Sequence, residues 1–284
     1  MTAPPMLFGC DFSSSPSRRK PIVLAFGALA GARVRLGRLQ PFESLRDFGA
    51  WLAAPDQRWV GGFDLPFGLP RELVQALGWP TDWAACMDHY AGLSRADIRA
   101  RFAAFCAARP VGAKFAHRVT DGPAGASPSM KWVNPPVAFM LHAGVPLLRA
   151  AGACLAGVMP HEPGAAKLAL EAYPGLLARE VLGRRSYKSD TRARQTPERL
   201  AAREHLLAAL ACGAGPAGPL RLGLRLDLRP AQHERLLADG SGDALDAVLC
   251  LMQAAWALRR QREGATCHGL PEGIDPLEGW IISA

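Results

Sequence analysis

Hydrophobic runs and alternations along the chain predict a strand-rich first third, a helical middle and a helical close. Met6–Asp11 is an apolar run ending on a carboxylate, and residues 21–26 (Pro-Ile-Val-Leu-Ala-Phe) form a second. Residues 32–38 alternate apolar and basic positions, the period-two pattern of a half-exposed strand. Between the first two strands lies Ser13-Ser14-Ser15-Pro16-Ser17-Arg18-Arg19-Lys20, a turn rich in hydroxyls and positive charge. Residues 42–53 place Phe42, Leu45, Phe48, Trp51 and Leu52 on one helical face, and residues 58–64 read as a fourth strand. No strong strand follows until about residue 165. Helices are expected over residues 71–77, 96–108 and 137–151, with the Gly/Pro/Ser-rich stretch 110–136 too long for an ordinary connection. This argues for a helical cap insertion at about 71–165, with the 110–136 loop mobile over the acidic stations described below. Residues 167–173 form the fifth strand, stopped by Pro174-Gly175. Residues 197–212 and 241–260 are helical, the latter nearly all apolar, and 278–282 is a candidate edge strand. The expectation is a single α/β domain, residues 1–284, built on a mixed five-stranded sheet with flanking helices.

Composition narrows the class. With 284 residues, 49% hydrophobic and 20% charged, the chain can bury a full core and is not disordered in general. No apolar run approaches the roughly 18 residues of a membrane span. Met1-Thr-Ala-Pro-Pro5 lacks the basic-then-apolar pattern of a secretory leader, so a cytoplasmic location is expected. The seven cysteines are odd in number, widely spread and without a Cys-x-x-Cys pair, which points to buried free thiols rather than disulfides or structural zinc. A net charge of +8 fits a polyanionic partner such as nucleic acid, DNA or RNA. The scatter of arginines through an Ala/Arg/Gly/Pro-rich chain fits a background bias equally well.

The chemistry concentrates in four acidic stations. Asp11 ends the first strand, where it is either a ligand or the acceptor of an Asx turn. Asp64 precedes Leu-Pro-Phe-Gly-Leu-Pro, which cannot continue a strand, and no helix start lies close enough for it to cap. Glu171 lies on one face of the fifth strand, either in a site or in a buried salt bridge to an arginine. Asp243 and Asp246 stand one turn apart on the last helix, followed on the same face by Ala247, Cys250 and Ala254. Capping of the helix N-terminus explains one aspartate, Asp243, and does not require Asp246 on the small-residue face. Each buried carboxylate carries a desolvation cost unless a cation or hydrogen bonds compensate it, so several together point to a divalent-metal site.

Gly-Cys-Asp11-Phe-Ser-Ser-Ser, Phe-Asp64-Leu-Pro-Phe-Gly-Leu-Pro, Glu171-Ala-Tyr-Pro-Gly and Asp243-Ala-Leu-Asp246-Ala together resemble the family of domain of unknown function 429 (DUF429), regarded as predicted nucleases with a ribonuclease-H-like fold. The Asp-x-x-Asp of the last helix also resembles RuvC-type Holliday-junction resolvases. The resemblance implies a ribonuclease-H-like sheet and two-metal phosphodiester hydrolysis with Mg²⁺ or Mn²⁺ ions about 4 Å apart. It implies Asp11 between the ions, Asp64 on one side and Asp246, with or without Asp243, on the other. Glu171 would be a further ligand or would orient the water. Hard oxygen donors suit these ions better than zinc.

Candidate substrate-binding groups are Ser13 and Ser14 in the first turn, Arg185 and Lys188 after the Glu171 station, and Lys131 beside Trp132 in the long loop. For the lysines, a solvated loop is the competing reading. Gly213-Ala-Gly-Pro-Ala-Gly218 is a formal Gly-x-Gly-x-x-Gly without a βαβ context and carries no weight. Two other functions compete with a nuclease. One is an actin-like-fold phosphotransferase using Gly9-Cys-Asp11-Phe-Ser-Ser-Ser15 against ATP phosphates, although no second phosphate loop is present. The other is a non-catalytic nucleic-acid-binding module.

Overall fold

The computed structural model describes residues 4–284, so the first three residues of the segment inspected for a leader lie outside it. Strands β1 (Met6–Asp11), β2 (Ile22–Ala30) and β3 (Arg33–Phe42) form an antiparallel meander. Helix α1 (Leu45–Ala53) follows, its N-cap Ser44 accepting from the Asp47 amide, and β4 (Trp59–Phe63) returns parallel to β1. Helices α2 (Arg71–Ala76), α3 (Trp83–Ala91), α4 (Arg95–Ala107), the single turn α5 (Asp121–Ala124) and α6 (Val137–Ala150) come next. Then follow β5 (Cys154–Leu155), β6 (Lys167–Glu171), α7 (Pro174–Leu182) and α8 (Pro197–Cys212). A small hairpin, β7 (Ala214–Gly215) and β8 (Gly218–Pro219), precedes β9 (Arg225–Asp227), α9 (Pro230–Ala238) and α10 (Asp243–Arg262).

The main sheet has seven strands in the order β5-β6-β4-β1-β2-β3-β9, not the five expected. All its neighbours are parallel except β1 with β2 and β2 with β3. The two added strands, β5 and β9, are edge strands of two and three residues, too short to carry a periodic signal. Three further boundaries differ. Phe42 ends β3 instead of starting a helix. Residues 278–282 are turn and irregular backbone, not an edge strand. Pro174-Gly175 opens α7 rather than merely stopping a strand, because proline at N1 is preset for helix and lacks only an amide with no partner there.

Alternation along the strands sends side chains into two cores. Leu7, Val23, Ala25, Val34, Leu36, Val60, Leu168 and Leu170 face α7, α8 and α10. Phe8, Cys10, Ile22, Leu24, Phe26, Trp59, Phe63 and Ala169 face α1, α2, α3, α4 and α6. The helices of residues 71–150 therefore pack with α1 on one face of the sheet and share its core. Within the 110–136 stretch Arg118, Thr120, Asp121, Ser129 and Met130 are buried, while Val111, Val119 and Val133 are exposed. Among the described residues, no helix is long and apolar enough to cross a membrane.

Candidate metal centre

Two glycines and a small-residue helix face assemble the site. Gly9 of β1 pairs with Gly62 of β4, and α10 crosses both. A Cβ at Gly9 would overlap the backbone of Ala247 and Leu251, and one at Gly62 would stand 2.5 Å from the Cys250 carbonyl oxygen. Bare glycines thus let the α10 backbone lie against the strands, with Ala247, Cys250 and Ala254 at the contact. Asp246, just before that contact, is carried to the carboxyl ends of β1 and β4. There Asp11 closes β1, and Asp64 follows β4 with its amide donating to the Cys10 carbonyl at 2.9 Å.

One carboxylate oxygen from each of Asp11, Asp64 and Asp246 lies within 4.8 Å of the others. Among the described residues this is the one group of three or more His, Cys, Asp or Glu side chains so disposed. Asp246 is wholly buried and Asp11 nearly so. Both oxygens of Asp246 are bonded: the Tyr187 hydroxyl donates to Oδ1 and the Lys188 ammonium to Oδ2. Burial, then the Asp246 charge, push the Asp11 carboxyl well above the usual carboxylate range, with Lys188 opposing. The same causes push Asp64 up to about 7. Burial works against the Lys188 charge, but Asp246 holds the ammonium well above its ordinary value. The cluster is short of positive charge, with Lys188 its one close cation. Cys10 and Cys250 feel the same carboxylates, and burial pushes both thiols well up, so they stay protonated. The donor set is hard oxygen.

The other candidates lie around this centre, not in it. Glu171 is buried, with Oε1 accepting from Arg118 Nη2 at 2.6 Å and Oε2 from Arg118 Nη1 and the Phe67 amide, both at 2.9 Å. Arg118 also bonds Asp121, and these two carboxylates hold the guanidinium above its ordinary value despite burial. Of the two readings of Glu171, the geometry supplies the salt bridge. Asp243 is buried but outside the three-carboxylate group; burial raises its carboxyl and Lys20 opposes. It is not the helix cap either. Gly242 holds the N-cap position, and Asp239 ties the turn before it, accepting from the amides of Ser241, Gly242 and Ala244. The Asp-Gly-Ser-Gly string at 239–242 was the available signal for that cap.

Ser13 accepts from the Ser15 amide at 3.4 Å, and Ser14 is buried with its carbonyl bonded by Arg95 at 2.6 Å, so both shape the turn after β1. Arg185 is directed to the Leu182 carbonyl and His205, away from the carboxylates. Lys131 bonds through its backbone at the start of α6 and makes no side-chain bond to the cluster. Tyr187 and Arg118 were not singled out from sequence. The Tyr-Lys pair at 187–188 was the only local hint for the first, and a lone arginine in a long loop gives none for the second.

A model for the family described as "Protein of unknown function (DUF429)" matches residues 9–272. The chain belongs to the DUF429 family. The matched span of this DUF429 protein contains all three clustered aspartates together with Lys188 and Arg118. No curated protein and no solved structure matches it.

Proposed function

We propose that this DUF429 protein hydrolyses nucleic-acid phosphodiester bonds at a divalent-cation site formed by Asp11, Asp64 and Asp246. The observation that carries the reading is the convergence of three aspartate oxygens within 4.8 Å at the ends of two adjacent parallel strands. Buried carboxylates packed this closely repel, and folding them together without a cation is costly. Oxygen donors and protonated thiols favour Mg²⁺ or Mn²⁺. Such an ion, when bound, polarises a phosphoryl oxygen and lowers the pKa of water. The protein's own part is to present three deprotonated carboxylates, so cation uptake at this cluster releases protons. Glu171 acts at one remove. Its bond to the Phe67 amide, backed by Arg118, fixes the loop that carries Asp64.

Two further features support this reading. Within the seven strands, the order β3-β2-β1-β4-β6, antiparallel then parallel, fits a ribonuclease-H-like mixed sheet of five. The rim also carries exposed cations: Arg18 and Arg19 in the first turn, and Arg184, Arg192 and Arg194 in the segment after α7. The Lys20–Asp190 ion pair, at 2.7 Å, joins those two stretches. Phosphate contacts from such groups position a polyanion without reading its sequence. The phosphotransferase alternative loses its glycine, because Gly9 is covered by α10 and cannot cradle a phosphate.

The test is incubation with Mn²⁺ and end-labelled single-stranded, duplex and branched DNA and RNA, with ATP in parallel. Cleavage of at least one nucleic acid, stopped by EDTA and lost in Asp11→Asn, is expected. ATP turnover with intact nucleic acid would support the phosphotransferase instead, and binding without cleavage the non-catalytic module.

A further inference from the structure

The carboxylates available at the centre number three, not five, because Glu171 is committed to Arg118 and Asp243 lies outside the group. One of the three, Asp246, already carries an ammonium on Oδ2. We infer that the centre takes one divalent cation rather than two, and that Lys188 supplies the second positive centre. This rests on the metal-site reading above and deepens it.

Charge balance makes the first argument. Three carboxylates and one ammonium leave a net charge of −2, which a single Mg²⁺ or Mn²⁺ neutralises. A second ion would leave a surplus of +2 in a largely buried site, against an adjacent ammonium, and uncompensated buried charge is expensive.

Lys188 is also built into place. Its aliphatic stem lies against Gly242, where φ is +81° and an added Cβ would stand 2.7 Å from the Lys188 Cβ. On one side of it the Tyr187 carbonyl accepts from Arg203 Nη1 at 2.7 Å; on the other the Ser189 amide donates to the Gly240 carbonyl at 3.0 Å. These bonds strap the segment across the N-terminus of α10 and set the ammonium on Asp246 before any substrate arrives. The lysine side chain nevertheless keeps 40% of its surface exposed, against none for Asp246. An ammonium has three donors, so one bonded to Asp246 still has two for the oxygens of an incoming phosphate. A lysine in this position binds the partner's phosphate and balances the carboxylates at once.

Isothermal titration with MnCl₂ tests this without reference to activity, using the wild type, Lys188→Met, Lys188→Arg and Asp11→Asn. The wild type should bind one Mn²⁺ per chain. Lys188→Met, which removes a positive charge beside the ion, should bind the first Mn²⁺ at least about tenfold more tightly. Lys188→Arg keeps the charge and should remain within a few-fold of wild type at one ion, which separates charge from loss of packing. Two ions bound by the wild type would overturn the inference, as would a Lys188→Met affinity equal to wild type. The failure of the underlying reading looks different: no Mn²⁺ binding by any variant, or binding that Asp11→Asn leaves unchanged.

Discussion

Most carboxylates of the chain sit in water, whereas Asp11, Asp64 and Asp246 are drawn together under cover, and that placement sets their chemistry. A carboxyl held near 7, as in Asp64, is what burial and a second charge produce together. Glu171 shows the contrast: more deeply buried than Asp64, it meets a guanidinium and an amide and needs no ion. Sequence position could not separate these fates, because Arg118 reaches Glu171 from 53 residues away. A different titration belongs to His268, far from this chemistry. It is buried with Nδ1 unpartnered, and burial followed by the charge of neighbouring His161 pushes its imidazole down from 6.5 to about 4. Below pH 6.5 the unfolded chain therefore takes up a proton that the folded protein refuses. The stability owed to this residue is whole above about 6.5 and lost as pH falls toward 4, by up to about 3 kcal/mol. His268→Asn keeps a residue that tolerates the left-handed φ of +61° and should remove this part of the pH dependence. Denaturant melts of both proteins between pH 4 and 7 measure it. Parallel pH profiles for the two would show that His268 titrates normally.

At the scale of elements, the decisive contact is α10 across β1 and β4. The sequence announced half of it: a helix apolar nearly all round, with a face of Ala247, Cys250 and Ala254 led by aspartates. The other half, Gly9 beside Gly62, becomes legible only when the parallel register pairs them. Gly9→Ala should therefore destabilise the protein by at least about 1–3 kcal/mol, since the added methyl meets helix backbone that cannot move aside. It should also weaken Mn²⁺ binding, because lifting α10 withdraws Asp246. Gly122→Ala is the control: nothing lies within 4 Å of its added Cβ, and its stability should stay within about 0.5 kcal/mol of wild type. Calorimetric melts that place Gly9→Ala beside this control would contradict the close approach. Elsewhere, proline misled. Pro174, expected only to stop a strand, stands at N1 and begins α7.

Across the whole molecule, the sequence was clearest where burial is greatest. Strands β1, β4 and β6 are apolar runs covered on both faces, and their terminal acids stood out for that reason. The edges β5 and β9 did not, having two and three residues each. Of the helices between β4 and β6, α2, α4 and α6 are legible as helices and α3 and α5 are not; their packing with α1 against one face of the sheet depends on long-range contacts that local periodicity does not record. What the assembled layers achieve is the meeting of three acids that are distant in sequence, with Lys188 across them, and the account stands on that meeting being a cation site. Anomalous diffraction from crystals soaked in MnCl₂ examines it directly. The account predicts a manganese peak within roughly 2.5 Å of carboxylate oxygens of Asp11 and Asp64, absent from crystals of Asp11→Asn. Saturating Mn²⁺ with no peak among the three aspartates would contradict it.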